Sequence, residues 1–274
     1  MTTKVDLYNS AYANYDLNRQ IRIETYGEDF GQTSWVTTEE SNEIPSLLKL
    51  TSGSAVLEVG CGSGGYAVHL AAGVGCRIKG LDINLHGIKN AQELAGDRGL
   101  QALAQFEECD LSKPWPVHDA QFDAVFANDV LCHIPGRLHV LEEMFRVLKP
   151  GSRMLYSDAL LIGGMVSHEE IATRSSIGYY IFSPPGENER LIAAAGFHLL
   201  SSTDTLQAAA GIAERWHNAR SKRSEELIKA EGEDGFAGLQ RFLSCVKSLT
   251  SERRLLRYVY LAEKTPAIHP DLAC

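Results

Sequence analysis

The chain has 274 residues, 44% of them hydrophobic and 22% charged, enough to bury the core of one large domain. A net charge of −9, from 26 Lys and Arg against 35 Asp and Glu, argues against nucleic acid or an anionic membrane as partner. No apolar run approaches the roughly 20 residues that span a bilayer, so the sequence reads as a soluble globular protein.

Residues 1–40 are rich in Tyr, Asn and Asp and show neither strand alternation nor the apolar regularity of a core helix, so they read as an aromatic arm or lid. "EESNEIPSLLKL" predicts a helix that delivers the chain to the strand "SAVLEVG". Strands then alternate with helices: "CRIKGLDI", "LHGIKNAQELAGDRG", "AQFEECDL", "FDAVFANDV", "GRLHVLEEMFRVLKPG" and "SRMLYSDAL". Such alternation implies parallel βαβ units, hence an α/β, doubly wound, Rossmann-like and mainly parallel sheet over 41–160. Helices expected at 159–185 and 206–250 cap the carboxyl edge of the sheet, and "LLRYVYLAEK" returns as a strand, so that 161–265 belongs to the same domain and 266–274 forms a tail. The basic residues from Arg215 to Arg257 alternate with acids and apolar residues and read as a solvated helical face.

The amino terminus lacks the apolar core of a secretory signal, and the six cysteines show no C-x-x-C pairing. Expected from these are a cytoplasmic location, no disulfide framework and no metal site. Cys61 and Cys132 read as packing residues, and His69 and His86 as surface or packing residues.

The segment "SAVLEVGCGSGGYAVHL" sets Glu58 before Gly60, Gly62, Gly64 and Gly65. Gly60, Gly62 and Gly65 also fit the dinucleotide pattern G-x-G-x-x-G, which keeps an NAD(P)-dependent oxidoreductase as an alternative. Glu58 separates the two readings, because a carboxylate beside the loop repels a diphosphate and attracts a cation. S-adenosylmethionine carries an ammonium and a sulfonium and no phosphate, and it fits this loop. Asp82, followed by Ile83, ends the next strand and suits the two ribose hydroxyls. Asp110 is placed for the adenine amino group with Leu111 against the ring, and Asn128 falls beside the same loop; Asp110, Asn128 and Asp129 can also be read as helix caps.

With these residues the chain resembles the class I S-adenosylmethionine-dependent methyltransferases, through "LEVGCGSGG", the acid ending the second strand and "LKPGS". "YGEDFGQTSWVTTEE" and "NDVLCHIPGRLHVLEEMFRVLKPG" resemble the small-molecule branch that acts on phosphoethanolamine, sarcosine and sterols. The resemblance implies a tyrosine–histidine pair over the acceptor, matched by His133 and by Tyr15, with Tyr12 as the other candidate. It also implies that Tyr26 and the segment from Gln32 to Trp35 fold over the cofactor. The phosphoethanolamine branch grips a phosphate with several basic residues, whereas Met154 to Glu189 supplies only Arg174, beside Tyr179 and Tyr180. That departure predicts a less charged acceptor against an aromatic wall, unless the run is core packing.

The expected reaction is methyl transfer to a small-molecule metabolite, through nitrogen first, then oxygen, then carbon. Its main requirement is alignment, with His133 as general base, unless it only caps the turn before Pro135, and Tyr15 orienting it or closing the pocket. A non-catalytic S-adenosylmethionine-binding regulator is the third reading, and the sequence leaves the oligomeric state open.

Overall fold

The computed structural model describes residues 11–266. Chain order begins with α1 (Arg19–Tyr26) and α2 (Thr38–Leu47), then β1 (Ala55–Val59), α3 (Gly65–Val74), β2 (Arg77–Asp82), α4 (Leu85–Asp97), β3 (Ala104–Glu108) and β4 (Phe122–Asn128). It continues with α5 (Arg137–Val147), β5 (Leu148–Ile162), α6 (His168–Arg174), α7 (Glu187–Ala194) and β6 (His198–Asp204), and ends with α8 (Leu206–Ser221), α9 (Ser224–Glu231), α10 (Glu233–Ser251) and β7 (Leu255–Glu263). The sheet runs β3-β2-β1-β4-β5-β7-β6, with β1 to β5 parallel and β7 antiparallel to both its neighbours.

Alternation along the central strands explains why both faces are covered. Leu57, Val59, Val125 and Ala127 pack with Val140, Leu141 and Met144 of α5 on one face. Val56, Ala124 and Phe126 pack with Val68, Leu70 and Ala71 of α3 on the other. A strand buried on both faces must be nearly continuously apolar, which makes Glu58, paired with Gly80 and Phe126 in mid-sheet, an exception that calls for a reason. The sheet order sets the carboxyl ends of β3, β2, β1 and β4 side by side, and so gathers Asp110, Asp82, Gly60 and Asn128 along one edge.

Three expectations are corrected. The stretch 159–185 is not helical throughout: β5 runs on to Ile162 because Leu160 and Leu161 bury completely, and only α6 follows. The Ser183 amide then donates to Leu160 O at 2.9 Å, and the chain turns at Pro185 and Gly186 into the helix that begins at Glu187. The arm contains the helix α1, hidden in the sequence because its buried stripe, Ile21, Arg22, Thr25 and Tyr26, is half polar. Finally, the basic run is not wholly solvated, since Arg220 and Arg257 are each 1% exposed. Arg220 is paired with Glu231 at 2.7 Å.

Part of the arm and nearly all of the expected tail, residues 1–10 and 267–274, lie outside the described residues. Among the described residues no helix is long and apolar enough to cross a membrane, and the five cysteines are free thiols.

Candidate active site

A cavity of about 340 Å³ opens along the carboxyl edge, roofed by the arm and by α6 with the loop after it. Its floor is the glycine loop. Gly60, Gly62 and Gly64 all take left-handed φ, at 71°, 51° and 73°, which only glycine adopts without strain. The Gly60 and Cys61 amides donate to Leu81 O, and the Gly62 amide donates to Asp82 Oδ2 at 2.8 Å. Asp82 Oδ1 accepts from the Asn84 amide at 2.8 Å, and Asn84 in turn caps α4. Asp82 therefore holds loop and helix start together while lining the cavity, and burial raises its carboxyl above the ordinary range.

Glu58 lies in the same wall, 1% exposed. The Ala67 amide donates to its carboxyl, but Oε2 has no partner among the described residues, and burial first, with Asp82 also raising it, pushes the group well above the usual carboxylate range. The Asn128 amide nitrogen is likewise buried without a partner in the described residues. A half-satisfied buried carboxylate beside glycine backbone fits the ammonium of S-adenosylmethionine. Asp82 retains acceptor capacity for the ribose, and exposed Ile83 with buried Leu111 offers apolar surface for a flat ring. Asp110 lines this end, held ionised with its pKa lowered to about 2, chiefly by Ser112 and then by Lys113.

At the β4–β5 side, the helical turn Leu131–His133 presents His133. A carbonyl can only accept, so the 3.0 Å contact between Nδ1 and Tyr179 O places the ring proton on Nδ1 and makes Nε2 the basic nitrogen. Burial pushes the imidazole down to about 4, with the Arg174 guanidinium adding to the effect, so the ring is neutral near pH 7. The Tyr180 ring lies 4.6 Å from it, centroid to centroid.

Beside His133, Asp129 adopts φ 57° and accepts from the Trp35 amide at 2.8 Å and from Arg257 Nε at 3.2 Å. Arg257 Nη1 reaches Glu40 Oε1 and Thr205 Oγ1, each at 2.6 Å. Glu40 Oε2 also accepts from the Thr37 amide, closing the capping box of α2. A continuous buried chain of charges thus fastens the arm, the cavity wall and β7 to one another.

Most of the residues singled out in the sequence meet at this cavity: Glu58, Gly60, Gly62, Asp82, Ile83, Asp110, Leu111 and Asn128, and also Gln32, Trp35, Tyr12, His133, Arg174 and Tyr180. Several take a different position from the one expected. Tyr15 does not approach His133; its ring lies under the Arg22 guanidinium, 4.1 Å away, and packs on Gly31 within the arm. Tyr12, the other candidate, rests over Gly62 on the cofactor floor and contacts Thr33 at 3.3 Å. Tyr26 is outside the wall and donates to Ser34 O at 2.8 Å, while Tyr179 is 54% exposed and contributes only its carbonyl. Gly64 faces Ala91 and Phe106 and serves helix packing. Gln32 turns its polar atoms to the arm's own backbone, at Phe30 and Glu28.

Sequence reasoning took Gly65 only as the last glycine of the dinucleotide pattern and Arg257 as part of a solvated face, whereas both help build the site. A Cβ at Gly65 would overlap the Phe30 carbonyl, so this glycine lets the arm lie on the start of α3. The doubled glycine at 64–65 was the available signal; nothing in the sequence pairs Arg257 with Asp129.

The chain is similar to known proteins in sequence and in fold. A family described as Methyltransferase domain matches residues 57–156. The chain is 26% identical to a 27-O-demethylrifamycin SV methyltransferase of Amycolatopsis mediterranei over 94% of its own length and 97% of the relative's. It is 30% identical to the O-methyltransferase rstn1 of Aspergillus nomiae over 62% of this chain and 76% of that one. A phosphoethanolamine N-methyltransferase 2 of Haemonchus contortus, solved with S-adenosylhomocysteine and phosphomonomethylethanolamine, superposes with a TM-score of 0.80 at 17% identity, covering 95% of this chain and 60% of that one. The chain spans only 41% of the length of a Triticum aestivum phosphoethanolamine N-methyltransferase that it matches.

Proposed function

The chain belongs to the S-adenosylmethionine-dependent methyltransferases, and within that family we propose that it methylates an oxygen atom of a small-molecule acceptor held between His133 and the glycine loop. The observation that carries this reading is the continuity of one cavity from the half-satisfied Glu58 to the neutral His133. Family membership removes the nicotinamide alternative, and Glu58 supplies the physical reason, since it would repel a diphosphate.

Bound against Glu58 and Asp82, S-adenosylmethionine supplies an electrophilic methyl group. The residues of the chain have three tasks around it. Glu58 and Asp82 orient the cofactor over the glycine loop. Trp35, Tyr12 and the arm exclude water from the reacting centre. His133 receives the proton of a hydroxyl acceptor at Nε2, or merely aligns an acceptor that is already ionised, which needs no base.

Oxygen now precedes nitrogen in the order of acceptors. An amine gains positive charge as its nitrogen is methylated, and Arg174, the one Lys or Arg among the described residues of the cavity wall, opposes that charge. The names of the rifamycin and rstn1 relatives support the same order. The test is transfer of an isotope-labelled methyl from S-adenosylmethionine into panels of phenols, carboxylic acids and amines, read by mass spectrometry. Labelled ethers or esters are expected; labelled amines alone would replace oxygen by nitrogen.

A further inference from the structure

Arg174, the last residue of α6, is 2% exposed, and its guanidinium makes no hydrogen bond or ion pair among the described residues. Nε and Nη1 are sealed and unsatisfied, which leaves Nη2 as the nitrogen that reaches the cavity. The neighbouring acids are engaged elsewhere: Asp129 by Arg257 and the Trp35 amide, Asp158 by Arg137, and Glu170 by Arg254. A lone buried cation is unfavourable unless something compensates it. Here the compensation is aromatic, with Cζ 4.6 Å from the Tyr180 ring centroid, 4.8 Å from Phe242 and 5.8 Å from Trp35.

Three rings around a cation form the kind of cage that recognises quaternary ammonium ligands. In this chain the cage is already filled from within. Its occupant cannot leave, and it is a cation whose remaining hydrogen-bonding capacity is directed at the acceptor chamber beside His133.

We propose that Arg174 occupies the aromatic cage formed by Trp35, Tyr180 and Phe242, so that the enzyme rejects ammonium-bearing acceptors and selects acceptors carrying an anionic oxygen group on an apolar or aromatic body. This deepens the methyl-transfer reading and rests on it. The anionic group, a carboxylate or a phenolate, docks at Nη2 and completes the guanidinium's interactions, while the cavity wall beside His133 receives the body. Charge is then divided along one cavity: acids at the glycine loop for a cationic methyl donor, a guanidinium at the other side for an anionic acceptor.

The test is calorimetry on the full chain loaded with S-adenosylhomocysteine, using benzoate, p-nitrophenolate, benzamide and benzyltrimethylammonium as probes. At pH 8 one or both anions should bind about 10- to 100-fold more tightly than benzamide, the range of a charge-assisted hydrogen bond in a desolvated site. Which anion binds more tightly names the acceptor group as carboxylate or phenolate. Benzyltrimethylammonium should bind at least about tenfold more weakly than benzamide, and Arg174→Met should abolish the anion preference while improving ammonium binding by a similar factor. No charge preference in the native protein, including no binding of any probe, overturns the proposal, as does a preference that survives in Arg174→Met. If that variant does not fold, Arg174→Gln takes its place, and the native comparison stands without either. Binding of S-adenosylhomocysteine is measured first: its absence removes the methyl-transfer reading, whereas its presence without charge selection removes only the role of Arg174.

Discussion

Glu58→Gln exchanges one oxygen for an amide in the cavity wall and should move stability and cofactor affinity in opposite directions. In the free protein Glu58 is 1% exposed, and its Oε2 has no partner among the described residues. Burial raises its pKa well above the ordinary value, so in the folded state the group keeps a proton that the unfolded chain loses above about pH 4.3. Stability from this group is therefore fully present below that pH and is lost as pH rises through the raised value. Glutamine does not ionise and avoids the loss. The ligand-free variant should therefore melt above the native protein at pH 8. The same exchange removes the negative charge that faces the ammonium. Affinity for S-adenosylhomocysteine should fall by about 1.5–3 kcal/mol, or roughly 10- to 150-fold, the value of a hydrogen bond to a charged group. Binding to the native protein should also release a proton, seen by calorimetry as a dependence of the heat on buffer ionisation enthalpy, and this dependence should vanish in the variant. A variant that melts lower at pH 8, or that binds S-adenosylhomocysteine as tightly as the native chain, would refute the assignment of Glu58 as a buried cation receptor.

Two further expectations concern the acceptor side. Because the His133 imidazole is lowered to about 4, the neutral ring contributes stability that is present above about pH 6.5 and is lost as pH falls toward the folded value. The rate profile should accordingly show no His133 titration between pH 6 and 9; His133→Ala should lower kcat by about 10²- to 10⁴-fold for a hydroxyl acceptor and far less for an ionised carboxylate. Arg257→Met leaves Asp129 and Glu40 without their shared cation, and removing one partner from such a buried set costs about 3–5 kcal/mol. Urea unfolding should report that loss, and limited proteolysis should cut the arm at 27–37 sooner than in the native chain.

The cofactor side was legible in the sequence because its chemistry is local. Glu58, Gly60 and Gly62 share one strand and loop, Asp82 and Asn128 each end a strand, and Asp110 follows β3 by two residues, so the order of a parallel sheet was enough to bring them together. The alternation of strands and helices fixed the architecture for the same reason, since each βαβ unit buries its own apolar faces. The acceptor side depends on contacts between segments far apart in the chain. Tyr15 was paired with His133 by resemblance, but the turn of the arm carries it to Arg22 and Gly31, and the neighbours of His133 come instead from the loop after α6. Arg174, Trp35 and Phe242 lie on three separate segments, and Arg257 is joined to Asp129 across 128 positions. Burial decided what these residues are: a side chain's charge is written in the sequence, but whether that charge is solvated, paired or left facing a ligand is set by the segments that close over it.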